Sequence, residues 1–190
     1  ALSPDGSTVL FTVTMRDLET EASLTNIFSI PTAGGEAVQL TRTGGSAPQW
    51  IENGKSIAFV DGEGKLAIMD PEGRVMNTVS GLENFEAYSI SPSGNRIYFT
   101  RRVKLDQTAN EKYNLPKARV RIIDELMYRH WNYWHDYSYS HIFVADFSGK
   151  SVSGEKDIME NQKFESPLSP YFDEAEISWS PDGKFIAYTS

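Results

Sequence analysis

The hydrophobic and polar positions of this chain alternate in short stretches, and a tight turn precedes each stretch. The segment LSPDGSTVLFT at 2–12 recurs as WSPDGKFIAYT at 179–189, with looser copies at 50–60 (WIENGKSIAFV) and 90–100 (ISPSGNRIYFT). In each copy a glycine supplies the positive φ that closes the turn, and proline, where present, presets the φ of an earlier turn position. Alternating apolar residues then lead to an aromatic residue, which is the period of a half-buried strand. The pattern predicts a series of hairpins.

The spacing of these turns indicates the fold. Successive turn glycines lie 48, 40 and 89 residues apart, at Gly6, Gly54, Gly94 and Gly183. The first two intervals have the length of one four-stranded propeller blade. We therefore predict an all-β fold, a partial β-propeller of about three four-stranded blades plus one strand, with a helical insertion. The predicted segments are blade 1 at about 7–50, blade 2 at about 55–90, blade 3 at about 95–179 and the start of the next blade at 184–190.

Within the second interval the remaining strands are predicted directly, at 66–69, 75–79 and 87–90. A turn with the sequence DPEG separates the first two of these strands. This compact spacing is what a single blade requires.

The third interval is about twice as long as the others, and we assign the excess to an insertion at 101–139. A strand pattern resumes only at 140–147 (SHIFVADF), and no further turn motif lies in between. The basic stretch at 101–121 favours a solvated loop. Residues 122–136 are predicted to form an amphipathic helix, because large apolar side chains recur at spacings of 4, 4 and 3. These side chains are Ile123, Met127, Trp131 and Trp134.

Composition and charge exclude several function classes. The formal net charge of −8 argues against a nucleic-acid partner, which requires clustered Lys and Arg. The chain has no cysteine, so disulfides, thiolate nucleophiles and cysteine-bound metals are excluded. No apolar run approaches the roughly 18 residues of a membrane-spanning helix, and we expect no membrane partner.

The histidines do not have the spacing of a metal site. His130 and His135 lie five positions apart, which turns them about 140° from each other on a helix. A metal site needs at least three ligands in register. We therefore predict packing and hydrogen-bonding roles for His130, His135 and His141, and neither a metal nor a cofactor.

The repeat resembles, over nearly the whole chain, the propeller repeats of Tol-system periplasmic proteins and of the prolyl oligopeptidase family. The segments DELMYRHWNYW at 124–134 and YSHIFV at 139–144 are similar to the insertion of dipeptidyl peptidase V and acylaminoacyl peptidase-like members. This resemblance implies a secreted or periplasmic serine exopeptidase that acts on short peptides. In such enzymes the propeller caps a C-terminal α/β-hydrolase domain and filters peptides towards the catalytic Ser, Asp and His.

The sequence departs from that family in one respect, since it contains no G-x-S-x-G nucleophile elbow. We therefore predict no catalytic residue in this chain and no hydrolysis by this segment alone. A non-enzymatic, Tol-like periplasmic propeller that binds protein partners is the alternative. A carbohydrate-active propeller would need a metal or acid constellation that the sequence does not show. A G-x-S-x-G motif encoded beyond residue 190 would discriminate between these alternatives.

The candidate substrate-binding residues all lie in the predicted helix. Asp124 and Glu125 carry carboxylates that suit the free amine of a peptide, and helix solvation is the alternative. Arg129 offers a planar fork for a carboxylate or carbonyl, or it pairs with Glu125 four residues earlier. Trp131 and Trp134 either line a wall for a peptide side chain or pack the helix against the blades.

The strand edges provide one further expectation. An open set of blades presents unpaired strand edges at both ends. Such edges invite pairing with other chains, so we expect self-association through open blade edges.

Overall fold

The computed structural model describes residues 1–114, 117, 129–130, 132–168 and 174–190. These residues form short strands and one α-helix. In chain order the elements are β1 Thr8–Arg16, β2 Ser23–Pro31, β3 Val38–Gln39, β4 Gly45–Ile51, β5 Ser56–Asp61, β6 Leu66–Met69, β7 Val75–Thr78, β8 Ala87–Ile90, β9 Arg96–Lys104, α1 Ala109–Tyr113, β10 Arg129–His130, β11 Tyr133–Trp134, β12 Ser138–Phe147, β13 Val152–Asp157, β14 Ile177–Trp179 and β15 Ile186–Tyr188. Single 3₁₀ turns lie at Glu52–Gly54 and Glu174–Glu176.

The strands form successive sheets in chain order. Sheet 1 has the order β1-β2-β3, sheet 2 has β4-β5-β6-β7 and sheet 3 has β8-β9-β12-β13, while β10-β11 and β14-β15 form two-stranded pairs. Each strand of a sheet lies beside the strand that precedes it in that sheet, which is the meander of a propeller blade. This arrangement confirms the predicted all-β, partial β-propeller fold.

Each four-stranded sheet begins with the strand that precedes the glycine turn. β4 and β5 flank Gly54, and β8 and β9 flank Gly94. The predicted blades begin just after each glycine turn, so each predicted blade begins one strand later than the corresponding sheet. The physical reason is that a tight turn joins two hydrogen-bonded strands of the same sheet, whereas the chain passes from one sheet to the next through a longer connection.

The repeated turns have the backbone conformation predicted from the sequence, and the structure adds a role for serine that the sequence analysis missed. Ser3 Oγ accepts the N–H of Thr8 at 2.9 Å and donates to the Asp5 carboxylate at 2.6 Å. Ser180 makes the equivalent bonds in the last copy. The motif glycines all have φ between 67° and 87°, at Gly6, Gly54, Gly94 and Gly183.

The turn carboxylates predict a pH dependence of stability. Hydrogen bonds from the Ser3 side chain and then from Ser7 lower the pKa of Asp5 to about 2. In the unfolded chain an aspartate titrates near 3.9, so the unfolded state takes up this proton first. The contribution of Asp5 to stability is therefore complete above about pH 4 and is lost as the pH falls towards 2. We expect the free energy of unfolding, measured with urea, to fall less steeply with decreasing pH in Asp5→Asn than in the wild type across this range. An equal pH dependence of the two proteins would contradict the prediction.

The chain folds into two compact units, which are described separately. The first comprises Ala1–Glu83, Ser89–Ile97 and Ala145–Gly154. Alternation places Ile57 and Phe59 of β5 on one face of sheet 2, where they enter the core of this unit. The core contains Leu10, Ile27, Leu40, Ile57, Phe59, Ala67 and Met69, with the partly buried Trp50 packed against them.

The side-chain amide of Gln49 connects β4 and β8 within this unit. Its Nε2 donates to the carbonyl of Ile90 at 2.8 Å, and its Oε1 accepts the N–H of the same residue at 2.9 Å. The amide thus reproduces the pair of bonds of a β-ladder between strands of different sheets.

The second unit comprises Asn84–Tyr88, Tyr98–Val144 and Glu155–Ser190. The buried phenol of Tyr98 on β9 donates to the carbonyl of Ile177 on β14 at 3.0 Å, which attaches β14 to sheet 3 and satisfies a buried polar group. The core of this unit contains Tyr98, Ile142, Met159 and Ile177, with Val144, Trp179 and Ile186 packed against them.

The helix predicted at 122–136 is wrong where the structure describes that segment. β10 and β11 pair as antiparallel strands, with Arg129 opposite Trp134. Tyrosine and tryptophan fit strands well and are only average helix formers, so the apolar spacing did not decide the conformation. Residues 122–128 and 131 lie outside the described residues.

The insertion does contain a helix, at a position that the apolar pattern did not indicate. Helix α1 follows β9 and begins with a capping box. The Thr108 hydroxyl accepts the N–H of Glu111, and the Glu111 carboxylate accepts the N–H of Thr108. These reciprocal bonds satisfy two N–H groups that a short helix would otherwise leave unpaired.

Candidate functional site

The candidate site lies where the insertion leaves sheet 3. β9 and β12 pair as far as Leu105, whose N–H donates to the carbonyl of Tyr137 at 3.0 Å. The segment 106–136 connects these two residues along the chain and includes all five predicted substrate-binding residues. We define the polar side chains around this exit as the insertion base: Glu86, Arg102, Asp136, Ser138, Ser140 and Glu165.

Arg102 lies at the centre of the insertion base. Its guanidinium donates to the Ser138 carbonyl at 2.7 Å and lies within 3.8 Å of the Asp136 carboxylate and 3.7 Å of the Glu165 carboxylate. The Glu165 side chain is only 12% exposed. A planar guanidinium suits this position, because it can serve several oxygen acceptors at once. Arg102 therefore connects the end of the insertion to the connection that follows β13.

The electrostatics of Asp136 follow from this arrangement. Partial burial alone would raise the pKa of Asp136, but hydrogen bonds from the N–H and hydroxyl of Ser138, together with the charge of Arg102, lower it. Asp136 is thus held as a carboxylate that fixes the turn into β12.

Glu86 extends the insertion base across β9. Its N–H donates to the carbonyl of Thr100 on β9 at 2.8 Å, and its carboxylate accepts the hydroxyl of Ser140 on β12 at 2.7 Å. The buried hydroxyls of Thr100 and Ser166 have no hydrogen-bond partner among the described residues. The site therefore combines the Glu86 carboxylate, which Ser140 holds in place, with the buried hydroxyls of Thr100 and Ser166, which can still form hydrogen bonds.

An open cleft of about 390 Å³ lies beside the insertion base. Lys104 pairs with Glu111, and Lys163 lies 3.8 Å from Asp106. The hydrogen bond from Lys104, and then those from Thr108, lower the pKa of Glu111 to about 2. The cleft thus presents paired charges of both signs. Its lining is Lys104, Leu105, Asp106, Gln107 and Glu111.

The structure brings together two of the predicted substrate-binding residues. Arg129 and Trp134 occupy paired positions of the β10-β11 hairpin, and the Trp134 side chain is partly buried. Asp124, Glu125 and Trp131 lie outside the described residues. The substrate-binding role of all five stays a prediction.

Glu86, Arg102, Ser140 and Glu165 are not predicted from the sequence. The basic stretch at 101–121 favours a solvated loop, whereas its first residues, 101–104, belong to β9. The available signal was the alternation of Tyr98, Thr100 and Arg102 along one face of that strand.

The described histidine side chains do not assemble a metal site. Among the described residues no group of three or more His, Asp or Glu side chains could hold a metal ion. His141 is fully buried and hydrogen-bonded through both ring nitrogens, as predicted, and His135 contacts the ring of Tyr139 at 4.8 Å. No helix within the described ranges is long and apolar enough to span a membrane.

Two bacterial relatives match the entire chain, and both bear the name dipeptidyl-peptidase 5. The protein from Porphyromonas endodontalis is 34% identical over 198 residues, and that from Porphyromonas gingivalis is 35% identical over 197 residues. This chain spans 28% and 29% of their respective lengths. No family model matches the chain.

A solved structure of Pyrococcus horikoshii acylaminoacyl peptidase has the same fold. It superposes with a TM-score of 0.57 at 14% identity and covers 80% of this chain and 23% of its own. Together these matches confirm the resemblance found in the sequence. The chain is therefore homologous over its full length to part of the dipeptidyl-peptidase 5 proteins, as expected for the propeller of a prolyl oligopeptidase-family peptidase.

Proposed function

We propose that this chain is the substrate-gating propeller segment of a serine exopeptidase, of dipeptidyl or acylaminoacyl peptidase type, that acts on short peptides. The observation that carries the proposal is the 34% identity along the whole chain to a dipeptidyl-peptidase 5. A C-terminal α/β-hydrolase domain of the same protein supplies the catalytic Ser, Asp and His, because this chain contains no nucleophile elbow. The names of the relatives favour this function over a Tol-like binding propeller.

The insertion base supports a gating role. Arg102 ties the end of the insertion to Ser138 and Glu165, so the insertion leaves sheet 3 from a fixed point. Side chains that select substrate must be held by a rigid support if they are to discriminate between peptides. The paired strands β9 and β12 provide that support.

The predicted residues supply the chemistry of selection. Asp124 and Glu125 bind the free amine of the peptide, since a carboxylate forms a charge-assisted hydrogen bond with an ammonium group. Arg129 binds a carbonyl or carboxylate of the peptide, and Trp131 and Trp134 contact an apolar side chain. The protein acts in the periplasm or outside the cell.

Loss of the two carboxylates tests this assignment in the full-length protein. We expect Asp124→Asn combined with Glu125→Gln to lower kcat/KM about 10- to 100-fold on dipeptidyl substrates with a free amine, because a hydrogen bond to a charged group contributes about 1.5–3 kcal/mol. Hydrolysis of N-acetylated peptides and of a small acyl ester should not change. A matched control replaces Glu19 and Glu21, in the turn between β1 and β2, by glutamine.

Three results would separate the parts of the proposal. An equal loss on free and acetylated peptides would remove the amine-binding role of Asp124 and Glu125. An effect of the same size in the control would indicate a general charge effect. A wild-type protein without peptidase activity would end the exopeptidase proposal as a whole.

Self-association through strand edges also stays a prediction. An open set of blades leaves strand edges at its two ends, and another chain can pair with such an edge.

A further inference from the structure

His141 is a fully buried titratable group that the proposed function does not use. It lies on β12, and its side chain is 0% exposed. Its Nδ1 lies 2.8 Å from the Asp157 carboxylate at the end of β13, and its Nε2 lies 2.9 Å from the backbone carbonyl of Gln162. The ring therefore joins three consecutive parts of the second unit.

Both partners of the ring are acceptors. A backbone carbonyl accepts hydrogen bonds and never donates, and an ionised carboxylate does the same. A neutral imidazole has one N–H and one lone pair, so it would direct that lone pair at an oxygen atom. An imidazolium has two N–H groups and satisfies Asp157 and Gln162 together. A buried polar atom left facing another acceptor costs about as much as a lost hydrogen bond.

The charges around His141 favour the same state. At one end of the β9-β12 pair the N–H of Phe147 donates to the carbonyl of Asn95, and at the other end the N–H of Leu105 donates to the carbonyl of Tyr137. These two bonds enclose equal numbers of residues on the two strands, so Arg101 lies opposite His141. Arg101 forms a two-pronged pair with Glu155 at 3.1 Å for both bonds.

The Arg101 guanidinium also stacks over two parallel rings, at 4.9 Å from Phe99 and 5.0 Å from Phe143. Glu155 neutralises Arg101, and Asp157 is left with His141 as its partner. When Asp157 is ionised, an imidazolium balances the charge of this mostly buried carboxylate, whereas a neutral imidazole leaves that charge uncompensated. The charged or titratable groups on the surrounding elements are Arg96, Tyr98, Arg101, Arg102 and Lys104 on β9, Tyr139 and Asp146 on β12, Glu155, Lys156 and Asp157 on β13, and Glu160 in the turn that follows.

We propose that His141 is a buried imidazolium in the folded protein and that its proton fastens β13 and the turn at 158–162 to β12. Asp157 also accepts the N–H of Met159 at 2.8 Å, and the N–H of Ile158 donates to the carbonyl of Ile142 at 3.0 Å. A neutral ring would keep only one of its two hydrogen bonds, so the second proton of the ring holds this segment in place.

Nitrogen NMR of the full chain, labelled with ¹⁵N-histidine, tests the protonation state directly. At pH 7.5 we expect both ring nitrogens of His141 to carry hydrogen. In Asp157→Asn the amide can donate to Nδ1 while its oxygen still accepts the N–H of Met159, so the ring should become the neutral tautomer with hydrogen on Nε2 alone. A wild-type ring with one unprotonated nitrogen at pH 7.5 would overturn the proposal.

If the Asp157→Asn variant does not fold, the wild-type NMR result decides alone.

Discussion

Replacing Gly81 by alanine is expected to destabilise the protein by about 2–5 kcal/mol. Gly81 has a φ of 78°, a conformation that costs an L-residue roughly 1–2 kcal/mol. In addition, a Cβ atom at this position would overlap the carbonyl oxygen of Val152. The close approach is fixed by two hydrogen bonds at the preceding residue, from Ser80 N–H to the Lys150 carbonyl and from Val152 N–H to the Ser80 carbonyl. Alanine must therefore open this bridge, which adds an overpacking cost of about 1–3 kcal/mol.

Gly94→Ala is the matched control for this prediction. Gly94 has nearly the same φ, 73°, but a Cβ atom there would meet no other atom within 4 Å. We expect it to lose only the conformational part, about 1–2 kcal/mol. Urea unfolding of both variants measures the difference. Equal losses at Gly81 and Gly94 would show that the contact with Val152 is not limiting.

Phe59→Ala is expected to cost about 3–5 kcal/mol of unfolding free energy. Phe59 is 2% exposed and packs in the core of the first unit with Ile57, Ala67 and Met69. Truncation removes buried apolar surface and leaves a cavity that the paired strands β5 and β6 cannot close, because their backbone hydrogen bonds hold the register.

The matched control is Phe185→Ala, since Phe185 is 71% exposed. Its loss should be within about 0.5 kcal/mol of zero, as for most surface substitutions. Chemical denaturation followed by tryptophan fluorescence would report both variants, and a small effect at Phe59 would contradict the proposed core of the first unit.

The local sequence was sufficient to predict the turns and many of the strands. The stretch predicted at 66–69 is β6, and the one predicted at 87–90 is β8. Such elements are predictable because a positive-φ glycine and an alternating apolar pattern act within a few residues. The serine hydrogen bonds of the turns are equally local, and the motif itself could have indicated them.

The insertion shows where local patterns stop being informative. The spacing of Trp131 and Trp134 suited a helix, yet Arg129 and Trp134 are partners in a β-ladder. Aromatic residues are compatible with either conformation, so contacts beyond the segment decide between them. The insertion base was not predictable for the same reason. Glu86 contacts Ser140, and Arg102 contacts Glu165, only because the strands of sheet 3 and the connection that follows β13 bring these distant residues together.

The sequence by itself determined the repeating turns, the strand periodicity and the family resemblance, because these depend on residues within one hairpin. Tertiary structure alone decided which distant groups meet: the Gln49 amide with the backbone of Ile90, Arg102 with Glu165, and His141 with Asp157. The physical reason is that the partners of a buried polar group are set by the register between strands, and one sequence pattern is compatible with many registers until the core is packed.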